Sequence, residues 1–549
     1  MQDGRRTGAQ LAARALHSVG MQVLFTLPGS HIGALLDEVR TAGARVVSVR
    51  HEENAVLMAE GWALATAGCG FAMVTAGPGL ANALPGIVEA NAAGAPVVIV
   101  AGRTALGKRG RGAVQDLEQL RVVAGVVKWS AECLAPERTA EYVVEAYRHA
   151  VRGAPGVAYL EIPEDVLEAE VGDSLPPTLA PISKSVPDAR TLAQASDLLR
   201  RAERPLVVAG SGAFFSQSGD ALRDFTELTG VPVTTTSAAR GLLDDEHPNC
   251  VGSLVHGGAA LASADLALVV GSRFNGNLIY GRPPLFGEEQ VIVQVDLRPE
   301  NLGGAREPTL GLLGDVGATL AALGADLKSS AERWSGWRAA AATLSAGSRE
   351  MWAAEAEGDG SAVGAGWVAR QVAARFEAEG GGTWISDGGD SVTWGIAFSR
   401  AHRPGSNMLI GSSMGTLGVG LPFAIAAGMA RPQEPMVLFT GDGAFGFAAM
   451  ELDTAARQRI GMVAVVVNNG VWRGPGSSRR DPAGAVDHAA LAVGLGAQGE
   501  RVTRREELDP ALTKAFTAAR TGNPFVIDVA CDPAVVSQLL RGLDELGLM

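Results

Sequence analysis

Short apolar runs separated by helix-period segments recur along the chain. In the first third they read "VLFTLPG", "VVSVRHE", "FAMVTAGPG", "PVVIVAG" and "VAYLEIP". Runs of this length, rich in Val and Ile and closed by Gly or Pro, are typical of strands buried on both faces. With helical patterns between them they predict βαβ units and a parallel sheet covered on both sides. A Pro-rich stretch, "DSLPPTLAPISKSVPDA", breaks the rhythm and reads as a linker. The rhythm resumes with "PLVVAGSG", "VPVTTTS", "LALVVGSR" and "VIVQVDLRP". A polar, Ala-rich segment then ends in "EAEGDGSAVGAG", a flexible join. The last block reads "TWISDGG", "NMLIGSS", "MVLFTGDG", "VAVVVNNG" and "PFVIDVA". The fold class is therefore α/β, with three doubly wound parallel-sheet domains. The expected boundaries are 1–168, a linker 169–188, a central domain 189–327, a connecting segment 328–362 and a last domain 363–549. The first and third blocks share a rhythm without obvious identity, which signals an internal repeat.

Composition narrows the class. The chain has 549 residues, too many for one core, and carries 71 glycines and a formal net charge of −13. The negative balance argues against general affinity for nucleic acid and points to a cytoplasmic protein. The four cysteines (Cys69, Cys133, Cys250, Cys531) are scattered, without metal-ligand spacing, as expected of a reducing compartment. The first twenty residues lack the apolar core of a signal peptide. Two stretches without charge, one from Cys69 and one over 405–430, are broken by Gly, Pro and Asn, so no membrane span is expected.

The candidate chemistry is concentrated in the last block. "MVLFT" reads as a strand, "AAMELDTAARQ" as a helix and "MVAVVVNN" as a second strand, which makes a βαβ unit. Its crossover sets the strands parallel, so Asp442 and Asn469 leave the sheet at one edge, where ligands bind in open α/β sheets. A carboxylate, an amide oxygen and a nearby carbonyl are hard donors suited to Mg²⁺ or Ca²⁺ and not to zinc. Gly441 and Gly443 allow phosphate oxygens to approach the backbone. Taken alone, Gly-Asp-Gly also reads as an ordinary strand-to-helix turn. In the first block, "SVRHEENAVLM" puts Glu52 and Glu53 at a strand end ahead of an apolar helix, and both also read as helix-start acids.

"GDG" followed at this distance by "NN" resembles the signature of thiamine-diphosphate enzymes. The resemblance extends through "GSSMGTLGVGLPFAIAAGMA", "RHEENAVLMAEGWALATA", "TAGPGLAN" and "GVAYLEIPEDV", and covers nearly the whole chain. It implies a pyrimidine-binding first domain, a diphosphate- and Mg²⁺-binding last domain, and thiamine diphosphate with Mg²⁺ as cofactors. By the same resemblance Asp442, Asn469 and the carbonyl of Val471 bind the metal. Gly441, Gly443, Ala444 and Ser391 lie against the diphosphate, and Asp390 departs from the neutral residue that would suit that place. Glu52 is the activating carboxylate, in an apolar pocket with Pro78 and Asn82 nearby. Leu417 is the wedge that bends the cofactor, and the Gly415 carbonyl accepts from its amino group. The central domain resembles one that holds FAD or ADP in some relatives, although no residue here requires a nucleotide. The family pattern pairs the first domain of one subunit with the last domain of another, so a homodimer or homotetramer is expected.

For the reaction, "AFGFAAME" and "MGTLGVG" look closer to the branch of 2-hydroxyacyl-CoA lyase, oxalyl-CoA decarboxylase and benzaldehyde lyase. The acetolactate synthase branch usually carries an acid after the Asn pair, and here Gly470, Val471 and Trp472 follow. His31 in "LPGSHIGAL" and Trp472 stand where benzaldehyde lyase has active-site residues. Gln115 in "GAVQDLEQL" stands where many relatives face the cofactor. His31 then serves as a proton relay and Gln115 holds an oxygen or a water. The implied activity is carbon–carbon lyase and carboligase chemistry on a small 2-hydroxy or 2-oxo carbonyl compound, an acyl-CoA among the candidates, through an enamine. The alternatives are a 2-oxo acid decarboxylase, an acetolactate-synthase-like transferase and, more remotely, a silent nucleotide-binding protein. Lys108, Arg109 and Arg111 read either as a phosphate contact or as a solvated run. The basic stretch 473–487 reads as a loop that closes over a charged substrate or stays in solvent.

Overall fold

The computed structural model describes residues 5–328, 332–358, 363–409, 414–472, 481–482 and 486–545. Of the join expected over 355–366, residues 359–362 lie outside them, as does most of the loop at 473–487; the described ends of that join belong to the helices Ser335–Glu357 and Ala365–Ala378. Three six-stranded parallel sheets organise the chain, each with helices between its strands. In the first sheet the spatial order is Arg45–Ser48, Val23–Thr26, Gly70–Val74, Val97–Arg103, Val157–Pro163 and Trp129–Glu132. In the third it is Asn407–Leu409, Thr383–Asp387, Met436–Gly441, Val463–Asn468, Phe525–Ala530 and Gln498–Val502. Numbered along the chain, both sheets follow 2-1-3-4-6-5. The shared rhythm of the two blocks is thus a shared topology. The central sheet runs Cys250–Ser253, Val233–Thr235, Pro205–Ala209, Leu266–Val270, Val291–Asp296 and Leu310–Leu313, which is the order 3-2-1-4-5-6 of a dinucleotide-binding fold.

The strands carry apolar side chains on both faces, which is why they read as continuous runs. Every residue of Val97–Arg103 and of Val463–Asn468 is buried. No helix among the described residues is long and apolar enough to cross a membrane. All four cysteines are free.

Two segments differ from the sequence expectation. The Ala-rich stretch between the second and third sheets forms the helix Ser335–Glu357. Alanine is the strongest helix former, and Trp337, Ala341, Ser345, Trp352 and Ala356 form its buried stripe. Just ahead of it and within it, the indoles of Trp334 and Trp337 donate to the Ala202 and Pro205 carbonyls, while Trp352 meets Trp394 of the third domain edge to face at 5.3 Å. The second is "AAMELDTAARQ", where the helix begins only at Glu451 and runs to Gln458, with a separate helix, Asp442–Ala448, ahead of it. Tightened bonds from Leu452 N to Ala449 O and from Asp453 N to Met450 O mark the junction.

A buried ion pair of the central domain is hydrogen-bonded to the third domain at Ser399 and Ala401. Arg240 lies 2.6 Å from Asp245 and also donates to the hydroxyl and carbonyl of Ser399. The Arg240 guanidinium and the Ala401 amide hold the Asp245 carboxyl below its ordinary value against the opposing effect of burial. Removing one partner of such a pair leaves an uncompensated charge. Arg240→Ala is expected to lower stability by about 3–5 kcal/mol, measured as a reduced urea midpoint.

Candidate active site

Strands Met436–Gly441 and Val463–Asn468 are direct parallel neighbours, with Gly441 opposite Val467. Asp442 and Asn469 therefore leave the sheet side by side. Asp442 Oδ2 accepts from the Gly470 amide at 3.0 Å, so the carboxylate touches the turn that carries Asn469 and Val471. The Asn469 side-chain oxygen accepts from the Val471 amide at 3.1 Å. Burial pushes the Asp442 carboxyl up, opposed by the amides of Gly443 and Gly470. A carboxylate and an amide oxygen that both bond to one turn are hard donors of the kind that suits an oxygen-seeking divalent cation.

The neighbouring strand end completes a cradle. A Cβ on Gly388 would lie 2.4 Å from Ser391 Oγ and 3.6 Å from the Ala444 Cβ, and one on Gly441 would lie 3.3 Å from Ser391 Oγ. Gly388 is thus too close to Ser391 to carry a side chain, and Gly441 lies within van der Waals reach of the same hydroxyl. Ser391 is buried and its hydroxyl donates to the Asp387 carbonyl. Trp472 covers Gly443, where a Cβ would lie 2.5 Å from the indole, and meets Phe447 edge to face. Asp390 is turned away from the cradle. Its carboxylate accepts from the Trp394 indole at 2.9 Å and from the hydroxyl and amide of Ser537.

Leu417 and Gly415 precede the helix Gly420–Ala430. Gly415 has a φ of +64° and is exposed, and Leu417 is half-buried. Two carboxylates that the sequence reading missed hold this segment. Asp387 accepts from the amides of Gly388, Gly418 and Gly420, and Glu89 of the first domain accepts from Thr416 N at 3.4 Å. Burial pushes the Asp387 carboxyl up to about 6 in spite of those three amides.

In the first domain Glu52 opens the helix Glu52–Thr66 and is only 5% exposed. Asn82 Nδ2 donates to its Oε2 at 3.0 Å from the helix that Pro78 begins. Glu451 fixes the turn ahead of Glu52 by accepting from Arg50 N and Asn54 Nδ2. Glu53 is half-buried in the same first turn. His31 follows the strand Val23–Thr26 and is buried, with Nδ1 3.4 Å from the hydroxyls of Ser30 and Thr75. Gln115 adopts a φ of +62° and packs on Gly77, where a Cβ would lie 2.9 Å from the Gln115 Cα. His31, Thr75 and Gly77 follow adjacent strands at the point where the strand order reverses, the usual ligand edge of such sheets. Within the chain, Glu52 and the Asp442 edge remain separate, and no hydrogen bond joins them among the described residues. Lys108 is paired with Glu164 and Arg109 with Glu132, so two of the three basic residues considered for a phosphate have partners within the chain.

Comparison with known proteins identifies the architecture. Models of the N-terminal TPP binding domain, the central domain and the C-terminal TPP binding domain of thiamine pyrophosphate enzymes match residues 6–122, 192–323 and 387–529. A probable acetolactate synthase of Mycobacterium bovis is 31% identical over 541 residues, 96% of each chain. The chain belongs to the thiamine pyrophosphate enzyme family. A 2-hydroxyacyl-CoA lyase of Oryza sativa is 30% identical over 557 residues, 96% of this chain and 95% of that one. The acetolactate synthase isozyme 2 large subunit of Escherichia coli is 29% identical over 542 residues. This thiamine pyrophosphate enzyme is thus related to both reaction types at nearly equal distance.

A cavity of about 980 Å³ lies apart from these residues, between the central sheet and the first domain. Ser211, Gly271 and Asp296 line it at the ends of three central strands, with Lys128, Arg273 and Arg298 on its walls. Because Asp390 bonds Ser537 and Trp394, Asp390→Ala is expected to cost about 1–3 kcal/mol of stability while leaving thiamine diphosphate affinity unchanged. Thermal melting and a cofactor titration check the two halves of this prediction.

Proposed function

We propose that the protein is a carbon–carbon lyase and carboligase that acts on a small 2-hydroxy or 2-oxo carbonyl compound. The observation that supports this reading is His31, a buried imidazole beside Thr75 at the strand-order reversal that also carries Gln115. An imidazole in that place suits proton exchange with a substrate oxygen. Gln115 holds that oxygen or a water. The absence of an acid after Asn469 separates this reading from an acetolactate-synthase-like transferase, which stands second together with a 2-oxo acid decarboxylase.

The residues of the third domain fit thiamine diphosphate and Mg²⁺. Asp442, the Asn469 amide oxygen and the Val471 carbonyl would hold the metal. Gly441, Gly443, Ala444 and Ser391 would form the diphosphate cradle. Leu417 and the Gly415 carbonyl would orient the aminopyrimidine, with Trp472 over Gly443. When bound, the cofactor supplies a nucleophilic carbon and an electron sink. Glu52 would exchange a proton with the cofactor through Oε1, since Asn82 Nδ2 donates to Oε2 and fixes the carboxyl plane. Pro78 sets the start of the Asn82 helix.

Exposed Met414, Phe447 and Met450 lie near the Asp442 edge, at 54%, 63% and 55% exposure. They support a second subunit whose Glu52 domain covers this edge, in a homodimer or homotetramer. The cavity beside the central sheet supports FAD or ADP there, or the nucleotide end of an acyl-CoA. No nucleic acid or membrane is assigned a role, and a cytoplasmic setting remains part of the proposal.

Product analysis with pyruvate, benzaldehyde and an acyl-CoA, each with and without an acceptor aldehyde, tests the reaction. Ligated or cleaved carbon–carbon products are expected. Release of CO₂ without ligation, or acetolactate as the sole product, would move the assignment to one of the alternatives. Glu52→Gln is expected to bind cofactor normally but to slow proton exchange at the thiazolium carbon by about a hundredfold or more, read by NMR. Unchanged exchange would remove Glu52 from this role.

A further inference from the structure

Gln119 opens the short helix Gln119–Val123, one turn after Gln115, and is 1% exposed. Both ends of its carboxamide are engaged. The oxygen accepts from the Gly77 amide at 2.8 Å. The nitrogen donates towards the Gly102 carbonyl at 3.1 Å, the Tyr159 hydroxyl at 2.9 Å and Glu161 Oε2 at 3.0 Å. Tyr159 also donates to Glu161 Oε2 at 3.1 Å, which fixes the orientation of the amide.

Each partner leads to a residue of the site. Gly102 packs on His31, where a Cβ would lie 2.6 Å from the His31 Cβ. Gly77 packs on Gln115, and both have positive φ, at +61° and +62°. A non-glycine residue keeps that conformation only where its surroundings dictate it. Gly77 also caps the helix that carries Asn82, the partner of Glu52. On the other side of Gln115, Asp116 pairs with buried Arg103 at 2.6 Å, and Arg103 lies 3.6 Å from Glu161. The strained residue is therefore fastened on both sides to one buried Arg–Glu pair.

We propose that Gln119 is a positioning residue of the active site. Its carboxamide ties three strand ends together and so sets where His31, Gln115 and the Asn82–Glu52 pair stand. The inference rests on the roles given above to those residues. An apolar side chain at 119 would leave the Gly77 N–H, the Gly102 carbonyl and the Tyr159 hydroxyl without this partner in a dry interior.

Gln119→Glu tests it through pH. The new carboxyl would face Glu161, which burial and the nearby Glu132 already hold above the usual carboxylate range, with Arg103 the facing cation, Tyr159 neutral, and Asp116 and Glu118 beyond Arg103. At about pH 6 the two carboxyls share a proton and the tie survives, and at about pH 8.5 they repel each other. In the holoenzyme, amide deuterium exchange over 75–82 and 113–119 is expected to match wild type at the lower pH and to be faster at the higher. Proton exchange at the thiazolium carbon should fall about tenfold across the same range relative to wild type. Gln119→Glu combined with Glu161→Gln should flatten both profiles.

Wild-type behaviour of Gln119→Glu at both pH values overturns the inference, even if His31→Ala and Gln115→Ala lose turnover of the carbonyl probes named above. The pH-dependent loss with turnover intact in His31→Ala and Gln115→Ala supports it through Glu52 and removes the substrate roles of those two residues. If Gln119→Glu does not fold, Tyr159→Phe carries the test: faster exchange over 75–82 supports the tie, and unchanged exchange overturns it.

Discussion

The backbone amide of Arg50 and the carboxamide of Asn54 both end on one oxygen of Glu451, while the other accepts from the Thr454 hydroxyl. That carboxylate is fully buried, and it joins the strand end ahead of Glu52 to the helix that follows the Asp442 edge. Burying a carboxylate is costly unless it is hydrogen-bonded, and here three donors reach its two oxygens. Arg50 adds an ion pair to Asp453 just outside. Close packing extends the junction. Gly61 of the Glu52 helix lies against the helix Gly420–Ala430, where a Cβ would sit 2.9 Å from the Phe423 Cα. The first and third domains are thus held in one arrangement, and the position of Glu52 depends on it.

The first and third sheets use the same strand order for different purposes. In each, the reversal between the first and third strands leaves a crevice at the carboxyl ends. In the third sheet the crevice is lined by glycines and oxygen donors, and in the first by an imidazole, a carboxamide and a threonine hydroxyl. The central sheet has its own reversal, and its cavity lies there. One chain therefore carries three such edges, each with the chemistry of its own loops.

The sequence made the strands of the sheet centres plain, because burial on both faces turns them into unbroken apolar runs. Trp129–Glu132, Cys250–Ser253, Leu310–Leu313 and Gln498–Val502 were harder to read. All four are edge strands with mixed polarity, and half-exposed positions dilute the pattern. That Asp442 and Asn469 leave the sheet together was legible because a motif fixes their spacing along the chain, whereas only the family resemblance separated Glu52 from Glu53. Asp387, Glu89, Glu451 and Gln119 were not legible, because their partners lie on segments remote in sequence or on peptide groups that no pattern marks. Asp390 shows the same limit: its charge marked it in the sequence as ill suited to a diphosphate, but of its partners, Trp394 and Ser537, the second comes from a segment that only tertiary packing brings to it.

The indole over Gly443 gives the molecule a native optical reporter. Of the nine tryptophans, Trp334, Trp384 and Trp394 are fully enclosed, whereas Trp472 is 41% open to solvent over Gly443. Its emission will respond to whatever displaces water from that crevice, so occupancy can be followed without a label and before any turnover takes place.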